Sequence, residues 1–594
     1  MGKEPFRPLR LLRADQSRET QPRQQAITGV QPIIAPAVDE TPGSIPTTEP
    51  HTATAIPLEN DTEATNLLKK TPKSYLFNQA YGLWVYISMF VLVLILTHGL
   101  SDQQYGAYAV AVTAYNTILY IIAFGFEDAT YTFIPRVFAD HGKAAAAHLI
   151  RRLLLLRVGV LVLTALIMLF GLHLLADLFA TIPPLQGAAR DLKNPELEAH
   201  LLPITIYVIS SSVASLLTAL CTGLMRMRLV FFIGSLTQAA ILASGYIVLQ
   251  LGWAVEGVLW ILALTSVAQM MAFFLFLAPF LFSRGTQYHQ PLLPLLKLGF
   301  NAWLTNLVSG ALLKQVAITL LSVYAVSLTE IGYFNLAFQL ADAANLLLVS
   351  GFGGVAGAAL AAAFIGQNYQ RLSRTWQTLI KIETLLAAPG LVFCLFNAPS
   401  IAHALYPDSF GPVGGLLAVF VFFNLIMRVL GTYIHQPTLY VVNRSSLAMI
   451  SQWVGLGVVI LTGVLCIGYF KLGAAGALIA DGMGRIVTGS LMLLFLWRKL
   501  PQKYPVGFTL RFLLALALAA IPSILWVILW QPTDRFLLLG YLAVTGSIFI
   551  LLCAGLLLWL KPLEKADLET IQSAKPALVR YLRPFTRTTQ EKQA

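Results

Sequence analysis

Seven ionisable side chains stand inside runs otherwise built from Leu, Val, Ile, Ala, Gly and Phe: the cations Lys314, Arg428 and Arg485, and the acids Glu127, Asp128, Asp342 and Asp481. A charge near the centre of a bilayer costs a few kcal/mol even on the lenient insertion scale, so each such residue marks either a function or a partner. Lys314 falls about 14 residues into its apolar run, roughly 21 Å at 1.5 Å per residue, with no acid three or four positions away. Its ammonium either faces a water-filled cavity, where it can hold a phosphate, or pairs with an acid on a neighbouring helix, for which Asp342 is the partner at hand. Arg428, with Asn424 one turn earlier, carries a planar fork suited to phosphate oxygens. The alternative for Arg428 is to snorkel to headgroups at the nearer membrane surface. Arg485 has Asp481 four residues before it, a spacing that allows an intrahelical ion pair. Glu127 and Asp128 are adjacent, so on a helix they project about 100° apart and cannot both face one cavity squarely. One is expected to pair with Arg136 or Arg157, and one to bind H⁺ or Na⁺. No Ser/His/Asp set, phosphate-binding glycine loop or metal-ligand spacing occurs, and the loops are too short to house an enzyme domain. The expectation is binding chemistry, with no enzyme activity and no cofactor. Cys221, Cys394, Cys466 and Cys553 all lie within apolar segments and read as packed thiols.

The elements that position these residues follow from composition. Of the 594 residues, 57% are hydrophobic and only 11% charged, against roughly 25% charged in soluble domains. Apolar windows of about 20 residues recur, the length that spans roughly 30 Å of hydrocarbon as a helix. The fold class expected is an all-α polytopic membrane protein of about fourteen transmembrane helices, among them spans at 105–128, 153–180, 300–325, 332–354 and 378–397. The net charge of +12 sits in short loops and reads as a topology signal, not as a nucleic-acid surface. With the N-terminus inside, inner loops hold Arg226, Arg228, Arg284, Arg371, Arg374, Lys381, Arg444, Arg498 and Lys499, while outer loops hold only Arg190, Lys193, Lys471 and Arg535. That asymmetry places both termini in the cytoplasm. Residues 1–73 contain ten prolines and almost no aromatics, so they are expected to be a disordered cytoplasmic tail. Residues 561–594 are basic, as expected beside the anionic lipids of an inner leaflet.

An internal repeat organises the spans. Sliding the chain by 226 residues puts Ser101 on Ser327, Gly106 on Gly332, Gly125 on Gly351 and Phe126 on Phe352. A second correspondence, at an offset of 219, relates Gly257 to Gly476, with Arg226 and Arg444 in equivalent loops before them. Two pseudo-symmetric lobes of six helices are therefore expected, at 74–285 and 286–500, followed by two further helices within 501–560. Six spans in each half make the halves parallel repeats, the arrangement of a two-lobed transporter.

These residues carry a resemblance. The turn Leu100-Ser-Asp-Gln-Gln-Tyr-Gly-Ala-Tyr108 is joined by Gly125 with Phe133-Ile-Pro-Arg136, by Thr329-Glu-Ile-Gly-Tyr-Phe334 and by Leu405-Tyr-Pro-Asp408. Val442-Asn-Arg444 and Gly473-Ala-Ala-Gly-Ala477 complete the set. In this order the chain resembles the polysaccharide (O-antigen type) lipid-linked oligosaccharide flippases of the multidrug/oligosaccharidyl-lipid/polysaccharide exporter superfamily. The resemblance implies a V-shaped two-lobe fold with a central cavity that opens to alternate sides of a bacterial cytoplasmic membrane. It implies a polyprenyl-diphosphate-linked glycan as substrate, lipid surroundings and possible polysaccharide-assembly proteins as partners. Lys314, Arg428 and Arg485 would then hold the diphosphate, and Glu127, Asp128, Asp342 and Asp481 would serve coupling or gating. Tyr105, Tyr108, Tyr115, Tyr120 and Tyr131 either line a sugar path by stacking or pack between helices. The stretch Gly310-Ala-Leu-Leu-Lys-Gln-Val-Ala317 departs from the pattern, because many relatives carry an acid there. Alternatives are a multidrug or cation antiporter, a lipid II-type flippase of the same fold, and a membrane glycan polymerase or ligase.

Overall fold

The computed structural model describes residues 60–181, 195–283, 312–324, 326–349, 367–501, 503–529 and 534–564, with short pieces between 293 and 364, at 532, at 567–568 and at 583–586. The tail before residue 60, the loop holding Arg190 and Lys193, and Gly351 with Phe352 lie outside the described residues, as does the Arg136 side chain. In chain order the helices are α1 (Asn60–Gly99), α2 (Asp102–Ile122), α3 (Phe126–Phe170), α4 (Leu172–Ala180), α5 (Pro195–Gly223), α6 (Met227–Gln250) and α7 (Ala254–Leu281). They continue as α8 (Leu312–Val323), α9 (Leu328–Val349), α10 (Tyr369–Leu405), α11 (Val413–Leu430) and α12 (Thr432–Val441). The last four are α13 (Ser445–Gly463, extended by a π-helical turn to Tyr469), α14 (Gly473–Trp497), α15 (Val506–Leu529) and α16 (Arg535–Leu560). Each of the fourteen expected spans carries one of these helices, and among the described residues twelve are long and apolar enough to cross a membrane. The chain is a multi-pass all-α membrane protein. Helix α1 begins at Asn60, inside the segment expected to be a tail.

Local chemistry sets the boundaries. Ser101 caps α2 reciprocally: its hydroxyl accepts from the Gln104 N–H at 3.3 Å, and Gln104 Oε1 accepts from the Ser101 N–H at 3.0 Å. The repeat copy keeps half of this cap at α9: Ser327 Oγ accepts from the Glu330 N–H at 3.3 Å, while the Glu330 carboxylate accepts from the Ala474 N–H at 3.1 Å. The span expected to run unbroken over 105–128 stops at Ile122, because Phe124 and Gly125 turn left-handed at φ 44° and 71°. Glu127 and Asp128 therefore open α3 instead of closing α2, where the positive end of the helix dipole favours acids. Helix α3 turns again at Gly142 (φ 79°), and its membrane-length part is Asp140–Phe170, earlier in the chain than the expected 153–180.

Packing brings α1 against α6, α3 against α5, and α5 and α6 against α7. Later in the chain α10 packs on α11, and α14 touches α8, α11, α12 and α13. The two groups meet where α2 lies along α9, at the glycines that the repeat superposes. A Cβ on Gly106 would overlap the Leu328 carbonyl oxygen, and one on Gly332 would lie 3.0 Å from the Gly106 Cα. Tyr333 Oη joins the same seam, 3.1 Å from Asp102 Oδ2 and 2.7 Å from the Ser409 carbonyl, and Asn335 donates to the Tyr105 hydroxyl at 3.5 Å. Tyr105, Tyr108 and Tyr115 are buried in this core, with Tyr115 ring to ring against Tyr207 at 4.4 Å.

Candidate functional site

Five helices of the second group converge their charged residues on one region. Helix α11 ends at Gly431 (φ 73°), which caps Met427 and Arg428 through its N–H and starts α12 one residue later. The break places the Arg428 guanidinium 3.9 Å over the Tyr433 ring of α12 and ion-pairs it through Nη1 to Glu383 Oε1 of α10. Both members of that pair are buried, Arg428 at 6% exposure and Glu383 at 0%. Thr384 of α10 also donates to the Arg428 carbonyl at 3.3 Å, so the two helices are tied by side chain and backbone together. On α14, Arg485 Nε binds Asp481 Oδ2 at 2.8 Å, the i−4 pair expected from spacing. Lys314 of α8 holds its ammonium 4.7 Å over the Phe338 ring of α9, and Arg485 approaches the same ring at 5.7 Å. Asp342 lies one turn beyond Phe338.

The field within the cluster is closely coupled. Lys314 feels Asp342 and Asp481, while Asp342 feels Arg485, Lys314, Asp481 and Arg428. Asp342 is nevertheless solvent-exposed and Tyr433 is 40% exposed, although charged residues of α8, α11 and α14 bear on that carboxylate. Asp342 thus stands among charged side chains of three other helices while part of its surface is left uncovered by protein. Three cations (Lys314, Arg428, Arg485) meet three acids (Asp342, Glu383, Asp481), so the cluster is formally neutral. Each ion pair is made through a single point. Among the described residues, Glu383 Oε2, Arg428 Nε and Asp481 Oδ1 are buried with no hydrogen-bond partner, as are the Gln315 and Gln339 side-chain oxygens. Buried polar atoms are normally bonded, so these orphans call for water or a ligand. They are mostly acceptors, and a ligand that completes them brings hydroxyl or ammonium hydrogens as well as any anionic group.

The sequence-flagged residues are thus sorted by the structure. Lys314, Asp342, Arg428, Asp481 and Arg485 come together, and Glu127 and Asp128 do not join them. No ion pair within 4.0 Å joins Lys314 to Asp342 among the described residues, so neither of the two expected states is reached in full: the lysine rests on an aromatic ring beside a nearby, separate acid. Arg428 does not snorkel; it points into protein at Glu383. Glu383 is the member that sequence reasoning missed. Its signal was an acid inside a largely apolar span, two residues after Lys381.

In the first group, Glu127 binds Arg157 Nη2 at 3.1 Å, one of the two partners expected for this acid pair. Arg157, 1% exposed, also donates to Ser212 Oγ at 2.6 Å and to the Ile122 and Ala123 carbonyls at 2.6 and 2.9 Å, and lies 5.4 Å over the Phe126 ring. Those two carbonyls lie at the α2–α3 break, where Ala123 also accepts from the Phe126 N–H at 3.1 Å, and the Arg157 Nη1 bonds both at once. Asp128 is half-buried beside them. A lysine has one nitrogen where this arginine uses three, so Arg157→Lys should destabilise the fold by about 2–4 kcal/mol through lost buried hydrogen bonds and a displaced charge. Thermal unfolding of the purified variant in detergent measures it, and an unchanged midpoint would show that the break does not depend on the fork.

Fold and site together define a multi-pass helical membrane protein that gathers three cations and three acids from five of its helices. No family model and no curated protein matches the chain. Among solved structures it is similar to an inward-facing multidrug-resistance MATE family transporter of the MOP superfamily, at 18% identity and a TM-score of 0.53, covering 71% of this chain and 93% of that one. It is also similar to the lipid II flippase MurJ in an inward closed conformation, at 12% identity and a TM-score of 0.58, covering 80% of this chain and 97% of that one. At these identities the likeness is one of fold: the chain has the fold of these membrane transporters.

Proposed function

We propose that the protein is a non-enzymatic flippase that moves a polyprenyl-diphosphate-linked oligosaccharide across a bacterial cytoplasmic membrane by alternating access, for surface polysaccharide assembly. The observation that carries this reading is the mixed-charge cluster around Asp342. A diphosphate is all acceptor and needs cations; a sugar is rich in hydroxyl hydrogens and needs acceptors. Lys314, with Arg428 and Arg485 behind it, offers the first, and the unpartnered oxygens of Glu383, Asp481, Gln315 and Gln339 offer the second. The lobes at 74–285 and 286–500 move against each other about the α2–α9 seam, and Asp342, with Asp128, is the carboxylate assigned to H⁺ or Na⁺ coupling. Polysaccharide-assembly proteins are the partners this role implies.

A second reading, export of an organic cation, draws on a specific observation as well. The cluster is neutral and its most exposed charge is an acid, and one fold neighbour is a multidrug-resistance transporter. Transport in proteoliposomes separates the two. With a fluorescent polyprenyl-diphosphate sugar, Lys314→Ala should lower the flipping rate about tenfold or more, the value of one charge-assisted contact. Flipping at the wild-type rate would sink the diphosphate assignment. Uptake of a fluorescent organic cation that depends on Asp342 and not on Lys314 would favour the second reading.

A further inference from the structure

The last two helices and the segment after them contact the site from behind. Leaving α16, the chain buries Leu563 completely in a cluster with Phe508, Phe512, Phe549 and Leu557, and the Leu563 N–H donates to the Phe585 carbonyl at 3.1 Å. It then inserts Asp567 against α10. There the carboxylate takes Lys381 Nζ at 2.8 and 3.1 Å, Thr378 Oγ1 at 2.9 Å and the Glu564 N–H at 2.8 Å. Asp567 is 4% exposed and Lys381 6%. Lys381, expected from the charge pattern to be a loop residue, is in fact a buried member of an ion pair. On a helix, Lys381 and Glu383 project about 200° apart, so α10 carries buried charges on opposite faces within one turn: Lys381 to Asp567, Glu383 to Arg428. A second contact grips the other partner's helix. Tyr504, just before α15, donates its hydroxyl to the Val429 carbonyl, the residue after Arg428, and Gln377 of α10 donates to the Lys503 carbonyl.

We propose that residues 503–567 form a clamp that sets the Glu383–Arg428 pair, with Asp567 and Tyr504 as its positioning residues. The inference rests on the flippase reading in so far as that pair belongs to the substrate site. Glu383 competes with an anionic ligand for Arg428, and the clamp fixes how firmly it does so. Without the Asp567 charge, the buried Lys381 ammonium loses its counter-ion and α10 turns to bring it towards water, which withdraws Glu383 from Arg428.

The test uses the full chain in nanodiscs, with inorganic pyrophosphate as probe and the flipping assay beside it. In Asp567→Asn the pyrophosphate Kd and the flipping KM should fall about fivefold, about 1 kcal/mol by the affinity relation, while kcat falls. In a Glu383→Gln background the same substitution should change neither Kd nor KM. A merely structural role would give equal effects in both backgrounds, and such additivity overturns the proposal. Tyr504→Phe, which removes one hydroxyl, should shift Kd in the same direction and serves if Asp567→Asn does not fold. Hydrogen exchange over 378–388 and 424–430 is the arm that needs no ligand. Faster exchange in either variant supports the clamp, and unchanged exchange overturns it even if the wild type binds no pyrophosphate, a result that would count against the flippase reading alone.

Discussion

Arg428→Met is expected to destabilise the protein by about 3–5 kcal/mol, and Arg428→Met combined with Glu383→Leu by far less, while neither variant flips a lipid-linked sugar. The single change leaves the Glu383 carboxylate at 0% exposure without its cation, and among the described residues it has no other bonded partner, since Oε2 is already an orphan. The double change removes both desolvation costs and fills the space with apolar atoms of similar volume. Among buried ion pairs that exchange is often neutral or stabilising, so the pair is a poor source of stability and a good candidate for selection by function. Melting in detergent reads the first half of the expectation, and transport in proteoliposomes the second. A double variant that is stable and still transports at the wild-type rate would remove Arg428 from the substrate site.

The two halves of that cluster were not equally legible. Lys314 stood out because nothing within a helical turn could neutralise it, and Asp481 and Arg485 because their spacing is that of a surface pair. Glu383 lies two residues after Lys381, in a span whose one obvious charge had been counted towards loop topology. A loop charge and a buried charge are the same letter, and only packing against Asp567 separates them. The C-terminal segment was read by its average, which is basic, whereas its position depends on one acid that the average conceals. At Gly125 the apolar run continues straight through the turn, so hydropathy could not see that the backbone changes hand between Phe124 and Phe126. The repeat was the most informative pattern. It placed Ser101 over Ser327 and Gly106 over Gly332, and in the fold each serine hydroxyl accepts from the N–H three residues on and the glycines touch.

That contact yields the other large effect. Gly106→Ala should lower the melting temperature and open the α2–α9 seam, although alanine improves helix propensity by about 1 kcal/mol. The sign is decided by what the new methyl meets. At Gly106 it overlaps the Leu328 carbonyl oxygen, a backbone atom at the start of α9 that cannot rotate aside, so the helices must part. Parting them also strains the Tyr333–Asp102 and Asn335–Tyr105 hydrogen bonds on the same face, at 3.1 and 3.5 Å. Gly457→Ala on α13 is the matched control: its Cβ meets nothing within 4 Å, and there propensity should win with a slight gain in stability. The seam can be watched through Tyr105→Cys, a position with 0% exposure, which should react with a thiol reagent faster in the Gly106→Ala background than in the parent. If alternating access works by opening this seam, the alanine should also shift flipping kinetics by favouring the open form. Equal melting temperatures for Gly106→Ala and Gly457→Ala would show that α2 and α9 have room to spare, and that the superposed glycines do not hold the two copies of the repeat together.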